Sequence, residues 1–320
     1  MKPYAGNPGL GWLLTLLLAA GCASDAQPEA VPPLAAKAQA LHRQGQRALE
    51  RDERERAKAL FEEARQLAES LDDLAGLAHA LNDLGSVAAL EGKPTEAIEL
   101  HKRALVLAEQ LRRADLRVES LTHLGTARQL AGQPDQAAAL YGQALEAAGQ
   151  AGDRHSQAVL LNNLGLIQQR AGDLAKAEAS FKLALEINRS IKDQRAESAN
   201  LANLALIAEE TNRLDEAKAH FERALELDKA TENPSAIAAD LAGLARVAQR
   251  QDRKEAALAY AQRAYWSFRA IGDTTRAVEE LMRALTLSRE QGLRGDTAQL
   301  ETELKSLREM SSQGRPGSQP

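Results

Sequence analysis

Leucine recurs every forty residues along this chain, and alanine keeps the same step at two further positions. The leucines are Leu41, Leu81, Leu121, Leu161, Leu201, Leu241 and Leu281. The alanines are Ala57, Ala97, Ala137, Ala177, Ala217 and Ala257, followed by Ala64, Ala104, Ala144, Ala184, Ala224 and Ala264. A fixed period of this length is typical of a chain that stacks one structural unit many times. The pattern therefore predicts a repeat fold.

Each period contains two amphipathic helical segments. In the second repeat, Leu77, Leu81 and Leu84 fall on one helical face. Residues 91–94 separate them from a second helix that carries Ala97. The same spacing in every period predicts seven helical hairpins. Their predicted bounds are 33–72, 73–112, 113–152, 153–192, 193–232, 233–272 and 273–310.

Residues that start and stop helices keep the same phase. The predicted N-caps of the first helices, whose side-chain oxygens accept from free backbone amides, are Asp73, Asp153, Asp193, Asn233 and Asp273. The predicted turn residues, which tolerate a left-handed backbone, are Gly92, Gly132, Gly172, Asn212, Asp252 and Gly292. After Asp296, a helix from Thr297 to Met310 is predicted to cap the last hairpin, and residues 311–320 are predicted to be disordered.

The composition fits stacked helices with solvated outer faces. Aromatic residues make up 3% of the 320 residues and charged residues 27%. Forty basic side chains face 45 acidic ones, so the formal net charge is −5. No basic run is long enough to follow a phosphate backbone, and we therefore predict no nucleic-acid partner.

The N-terminal sequence is typical of an export signal. Lys2 precedes an apolar run over residues 10–20, which is about half the length needed to cross a bilayer. The run ends in Leu18-Ala19-Ala20-Gly21-Cys22, which resembles the lipobox of bacterial lipoproteins. The resemblance implies that residues 1–21 are removed and that Cys22 is acylated. An ordinary secretory signal with a chance cysteine, or a free buried thiol, is the alternative interpretation.

The segment after the cysteine carries two further expectations. Residues 22–34 are rich in proline and small residues, so they are predicted to form a flexible tether behind the lipidated cysteine. Ala23 rather than aspartate follows Cys22. By the family resemblance, this implies sorting to the outer membrane, with the protein on its periplasmic side and lipid as its one membrane contact.

The repeat itself resembles the tetratricopeptide repeat (TPR). In the second repeat, the signature positions hold Leu81, Leu84, Gly85, Ala97 and Ala104. The aromatic position of that signature is filled in other units by Phe61, Tyr141, Phe181 and Phe221. The forty-residue length is similar to the repeats of kinesin light chains. The resemblance implies an all-α, right-handed superhelical solenoid of six to seven repeats over residues 35–310, with a C-terminal capping helix.

TPR solenoids present a concave groove lined by their first helices, which implies a surface for protein or peptide partners. By the resemblance, the groove residues are Asn82, Asp83, His123, Asn162, Asn163, Gln169, Asn203 and Arg246. In this family, an asparagine at the place of Asn163 and Asn203 often binds the backbone of an extended peptide. A solvated polar face with no ligand is the alternative interpretation of the same residues.

Four aromatic residues cluster late in the chain, namely Tyr260, Tyr265, Trp266 and Phe268. Tryptophan and tyrosine dominate the hot spots of protein interfaces, so the cluster is a candidate partner site. The other interpretation is that these rings fill the junction with the last, irregular unit.

Catalytic and metal chemistry find little support. His79, Asp83 and His123 fall on the predicted groove face and could be imagined as a metal site, but neither a fourth ligand nor a supporting shell is evident. His101 occupies the aromatic core position, whereas the histidines predicted to be peripheral are His42, His155 and His220. Motifs for a nucleophile, a phosphate loop or a zinc site are absent from the sequence. We therefore predict a non-enzymatic protein without metal or cofactor.

Together these features predict a lipid-anchored, periplasm-facing TPR scaffold that binds protein or peptide partners during assembly or maintenance of the cell envelope. Two alternatives stay open at this stage. One is a cytoplasmic signalling adaptor with an unprocessed N-terminus, and the other is a metal- or ligand-binding sensor built on His79, Asp83 and His123.

Overall fold

The computed structural model describes residues 33–313, and every regular element within that range is an α-helix. In chain order the helices are α1 (Pro33–Glu50), α2 (Arg54–Ser70), α3 (Leu74–Leu90), α4 (Pro94–Gln110), α5 (Ala114–Leu130), α6 (Pro134–Ala151), α7 (Arg154–Arg170), α8 (Leu174–Ile191), α9 (Gln194–Glu210), α10 (Leu214–Ala230), α11 (Pro234–Arg250), α12 (Lys254–Ala270), α13 (Thr274–Glu290) and α14 (Arg294–Gln313). The predicted all-α fold is confirmed.

The helices pair into consecutive hairpins, and local residues set their ends. Each predicted N-cap accepts a hydrogen bond from the backbone amide three residues later, as Asp73 does from Gly76 at 2.9 Å. All six predicted turn residues have a positive φ, for example 75° at Gly92. Non-glycine residues also adopt this conformation between hairpins, and Arg112, Lys192 and Glu232 are among them. The helix boundaries are therefore encoded locally.

Contacts divide the chain into two compact units, the first ending at Ile167 and the second beginning at Gln168. Both have alanine-rich cores, because the periodic alanines at positions 57–257 are fully buried. The periodic leucines are also buried, except Leu161, which is half-buried while its neighbour Leu160 takes the core position. The aromatic positions Phe61, Tyr141, Phe181 and Phe221 lie fully within these cores.

Glycines allow several first helices to approach an aromatic ring of a neighbouring helix closely. A Cβ atom added at Gly125 on α5 would lie 2.6 Å from Cε1 of Tyr141 on α6. One added at Gly85 on α3 would lie 2.5 Å from Cε1 of His101 on α4. Real Cβ atoms do not approach neighbours so closely, so glycine at these two positions is what allows the helices to pack at this distance.

This packing gives a matched pair of substitutions in the first unit. We expect Gly125→Ala to lower the free energy of unfolding by about 1–3 kcal/mol, because the new methyl overpacks the buried Tyr141 ring. Gly142→Ala in α6 should instead raise it by about 0.5–1 kcal/mol, since its Cβ meets open space and alanine favours the helix. Urea denaturation of both variants measures the difference. Equal stability of the two variants would contradict the packing argument.

The last helix is longer than the sequence predicts. α14 begins at Arg294 and continues through Gln313, so it includes three residues that were predicted to be disordered. Leu300, Leu304 and Leu307 turn inward and are almost fully buried against the second unit, which gives α14 the capping role that was predicted. At the other end, α1 already begins at Pro33, within the predicted tether. Residues 1–32, which include Cys22, and residues 314–320 lie outside the described part of the chain.

Candidate functional site

Asn82, on the predicted groove face of α3, is buried and bonded to neighbouring helices. Its Nδ2 atom donates to Oε1 of Glu119 at 3.1 Å and to Oγ of Ser120 at 3.0 Å, both on α5. Its Oδ1 atom lies 3.2 Å from Nδ1 of His101 on α4. With 1% of its surface exposed, Asn82 links three helices of the first unit.

Asp83 is the centre of a second polar contact. Its buried carboxylate accepts from Nδ1 of His42 at 2.5 Å and from Nε2 of Gln46 at 2.7 Å, and both donors lie on α1. The hydrogen bond to Asp83 raises the pKa of His42 against the opposing effect of burial. Burial raises the pKa of Asp83, and the contact with His42 opposes that rise. The sequence predicted that His42 is peripheral. This prediction was wrong, because His42 connects α1 to α3.

His79 makes an analogous contact one helix further along. Its Nδ1 atom lies 3.1 Å from Oε2 of Glu119, so this pair connects α3 to α5. Burial acts to lower the pKa of His79, but the bond to Glu119 and the negative charges of Glu119, Asp83 and Asp115 together outweigh it, and the pKa is raised. Burial acts to raise the pKa of Glu119, while His79 and the nearby His123 lower it below its ordinary value. The pair thus favours the charged form of both partners.

His123 stacks on His101, although it lies close enough to Glu119 and Asp83 to interact with their charges. The ring centroids are 5.3 Å apart and the ring planes are nearly parallel, at 11°. Burial lowers the pKa of both imidazoles, and that of His101 falls well below its usual range. Because His79 pairs with Glu119 and Asp83 pairs with His42, the imagined grouping of His79, Asp83 and His123 does not form. In residues 33–313, no three metal-ligating side chains converge on one point.

The remaining predicted groove residues fall in two places. Asn162 and Asn163 lie on α7 in the first unit, each with 6% of its surface exposed. In the second unit, Gln169 and Asn203 are half-buried. There Arg246 on α11 forms a two-pronged ion pair with Glu209 of α9, with an Nη2–Oε2 distance of 2.9 Å. Their assignment to a peptide-binding groove stays a prediction.

Two members of the aromatic cluster are core residues of the second unit. Tyr265 and Phe268 on α12 are buried, with 1% and 2% of their surfaces exposed. The Tyr265 hydroxyl donates to Oε1 of Glu303 on the capping helix α14 at 2.6 Å, and it accepts from Nη1 of Arg269 at 2.9 Å. Arg276 of α13 lies 4.7 Å above the Phe268 ring. Tyr265 and Phe268 therefore hold the junction with the last helices.

Trp266 is exposed over 54% of its surface, although its ring centroid lies 4.8 Å from that of Tyr265. The guanidinium of Arg269 lies 5.1 Å from its ring centroid, and exposed Arg263 lies one turn earlier on α12. Tyr260 is half-buried beneath Arg263, whose guanidinium is 5.8 Å from that ring. We refer to the exposed face formed by Arg263, Trp266 and Arg269 as the Trp266 surface. Adjacent residues of the cluster thus divide between the core and the solvent.

Sequence reasoning missed the role of His42 and the partner of His79. The signal was present in the numbering, because His42 precedes Asp83 by 41 residues and His79 precedes Glu119 by 40, which is one period of the repeat. Residues one period apart lie on adjacent first helices.

Within residues 33–313, no helix has both the length and the apolar character required to cross a bilayer.

Solved structures share this arrangement of helices. The BtubC (BKLC) protein from P. vanneervenii matches with a TM-score of 0.61 and 22% identity, over 75% of this chain and 93% of that chain. A STAND-class signal transduction ATPase with a tetratricopeptide repeat sensor, PH0952 from Pyrococcus horikoshii, matches with a TM-score of 0.72 and 15% identity, over 84% of this chain. The match spans 42% of the length of PH0952.

A third structure is a Rap protein in complex with competence and sporulation factor. It matches with a TM-score of 0.62 and 15% identity, over 87% of this chain and 76% of that chain. No curated protein sequence matches significantly. Among protein families, the profile of the MalT-like TPR region matches residues 87–269, which is more than half of the 320 residues. The chain therefore belongs to the MalT-like TPR family.

Proposed function

We propose that this protein is a scaffold that binds a protein or peptide partner while it is anchored by lipid to the periplasmic side of the outer membrane. The lipobox-like residues 18–22 support the anchor, and the repeat family supports the scaffold. A role in assembly or maintenance of the cell envelope follows from that location.

The observation that carries partner binding is the Trp266 surface. Trp266 is the most exposed of the large apolar side chains in the described residues, and two arginines flank it. Tryptophan and arginine are the residues most enriched at interface hot spots. Small residues beside them, Ala259 and Ala270, are also exposed and leave room for a partner around the indole.

The chemistry of the surface indicates an acidic partner with an apolar contact residue. Arg269 already pairs with Glu303, whereas Arg263 makes no ion pair with the described residues. An incoming carboxylate can therefore pair with Arg263 while an apolar side chain covers Trp266. In contrast, Asn82 and Asp83 on the predicted groove face have their polar atoms engaged by neighbouring helices.

Crosslinking in cells followed by capture from membranes tests the proposal. We expect the wild-type chain to capture a partner and the variant Trp266→Ala to lose most of it, about tenfold or more. Leu183→Ala is the matched control, because Leu183 is a comparably exposed apolar residue on α8. If Trp266→Ala captures the partner as well as the wild type does, the Trp266 surface is not the binding site.

Two further variants in the same experiment separate the other parts of the proposal. Cys22→Ser should move the protein from the membrane to the soluble fraction, and retention on the membrane would overturn the lipid anchor. The triple variant Asn162→Ala, Asn163→Ala, Asn203→Ala tests the predicted groove. Loss of the partner from this folded variant but not from Trp266→Ala would assign binding to the groove.

A further inference from the structure

We propose that His42 and His79 form an open two-histidine site for a divalent transition metal ion, with zinc as the probe. This site is independent of the Trp266 surface and of the lipid anchor. It lies on α1 and α3 of the first unit, on the face that carries Asp83 and Glu119. The inference rests on how the two imidazole rings are held and on the distance between them.

Both rings are held through the same nitrogen atom by a carboxylate. Nδ1 of His42 lies 2.5 Å from Asp83, and Nδ1 of His79 lies 3.1 Å from Glu119. A carboxylate accepts hydrogen bonds, so it keeps a proton on Nδ1 and leaves the Nε2 lone pair of the neutral ring free. Histidines that bind metal ions almost always donate their other N–H group to a carboxylate, a carbonyl or water.

The Nε2 atoms remain available to a ligand. Neither Nε2 atom forms a hydrogen bond or ion pair within residues 33–313. The side chain of His42 is 40% exposed and that of His79 is 42% exposed. Both side chains are therefore partly open to solvent.

The rings are close to the separation that a shared ion requires. Their centroids are 6.1 Å apart, and the planes are tilted by 51°. A zinc–nitrogen bond of about 2.0–2.1 Å places the ion roughly 3.2 Å from each ring centroid, so the centroids would be about 5.2 Å apart in tetrahedral coordination and about 6.4 Å apart in linear coordination. A tetrahedral ion therefore requires the two partly exposed side chains to move about 1 Å closer together.

The carboxylates that orient the rings are themselves fixed. Asp83 also accepts from Nε2 of Gln46 at 2.7 Å, and Glu119 also accepts from Nδ2 of Asn82 at 3.1 Å. This second layer of bonds keeps the rings in place before any ion binds, which is the arrangement that supports metal ligands in proteins.

The site is open because the third nearby histidine does not join it. His123 stacks on His101, with its Nδ1 atom 3.4 Å from Oγ of Ser86. No three ligand side chains of the described residues converge, so water or a side chain of a partner would complete the coordination. Imidazole ligands suit zinc, copper and nickel, whereas they do not suit calcium or magnesium.

Calorimetric titration of the tag-free full chain with Zn²⁺ at pH 8, above the ordinary pKa of imidazole, tests the proposal. We expect one ion per chain. His42→Gln and His79→Gln should each weaken binding about tenfold or more. Asp83→Asn and Glu119→Gln should weaken it about 10–100-fold, as is usual when a residue supporting a metal ligand is replaced. His155→Gln and His220→Gln are controls that should bind zinc like the wild type.

Two results would overturn the proposal. One is the absence of zinc binding in the wild-type chain, and the other is equal zinc affinity of the wild type and the variants His42→Gln and His79→Gln. Circular dichroism establishes that each variant is folded. If His42→Gln fails to fold, His79→Gln and Glu119→Gln give the same test, because they alter the other ring.

Discussion

Replacing Tyr265 with alanine is expected to lower the free energy of unfolding of the second unit by about 3–5 kcal/mol. The Tyr265 ring is fully buried, in a core that includes Leu300 and Leu304 of the capping helix α14. Its hydroxyl also bonds to Glu303 of the same helix. Truncation removes both the packing and the hydrogen bond, so the last helices of the chain should lose the most stability.

The neighbouring residue supplies the control for this prediction. Trp266→Ala removes an even larger aromatic side chain, yet it should lower the stability by only about 1 kcal/mol, because the indole is largely exposed and loses mainly its contact with the Tyr265 ring. The two variants therefore differ in whether they remove a buried or an exposed ring. A comparable loss of stability in both would show that the division between core and surface is wrong.

Hydrogen exchange locates the expected damage. In a repeat protein, each hairpin is stabilised chiefly by its neighbours, so a defect at one junction need not spread through the whole chain. With Tyr265→Ala, we expect amides of α13 and α14 to exchange faster while those of α9 and α10 keep their protection. Uniform loss of protection across the second unit would instead indicate a single cooperative unit.

Replacing Asp240 with asparagine is expected to stabilise the protein at pH 8 by about 2–5 kcal/mol. Asp240 on α11 is buried and shares a hydrogen bond with the carboxyl group of Asp228 on α10, which is also buried. Ser198 and Asn233 donate to Asp228, whereas Oδ2 of Asp240 has no partner among the described residues. Burial and the nearby Asp228 raise the pKa of Asp240 to about 9.

The raised pKa fixes the sign of the pH dependence. In the folded chain Asp240 keeps its proton up to about pH 9, whereas in the unfolded chain it loses that proton near the ordinary value of 3.8. Folding at intermediate pH therefore requires uptake of a proton, and stability falls as the pH rises between these values. Each pH unit costs at most about 1.4 kcal/mol. Asparagine has no such proton to take up.

One period earlier in the repeat, asparagine occupies the positions that correspond to both aspartates. Asn188 and Asn200 precede Asp228 and Asp240 by forty residues, and Nδ2 of Asn188 donates to Oδ1 of Asn200 at 2.7 Å. An amide at position 240 can form the same pairing in the opposite direction, donating to the carboxylate of Asp228 without uptake of a proton. The buried contact should therefore persist in Asp240→Asn.

Urea denaturation at pH 5 and pH 8 measures the effect. The advantage of Asp240→Asn over the wild type should be larger at pH 8 than at pH 5. Glu186→Gln serves as the control, because it removes an exposed carboxylate of α8 and should have a small effect at both pH values. An advantage that does not grow with pH would contradict the assignment of a buried, protonated Asp240.

Most of the fold could be predicted because its determinants are local and periodic. The caps such as Asp73, the left-handed turn residues such as Gly92 and the small residues such as Gly125 act on their own turn or hairpin. Repetition then multiplied a weak local signal. The extra length of α14 was not predicted, because its polar C-terminal residues carry no apolar spacing.

The candidate sites were predicted less well. The sequence marked His79, Asp83 and His123 as one polar face, but it did not show that His42 would bond to Asp83 or that His123 would stack on His101. It also could not separate buried Tyr265 from exposed Trp266, since the two are adjacent in one aromatic run. The buried acidic pair Asp228 and Asp240 gave no signal, because each residue resembles an ordinary helix-surface aspartate in the sequence.

The series of helical hairpins with alanine-rich contacts can be predicted from the residues alone, because helix boundaries and small-residue positions depend on neighbours within one forty-residue repeat. Which polar side chains meet depends on how the helices pack in three dimensions. His42 faces Asp83 at a separation of 41 residues, whereas His79 faces Glu119 at 40. That one-residue difference depends on how adjacent helices rotate and shift as they pack, which no single repeat encodes.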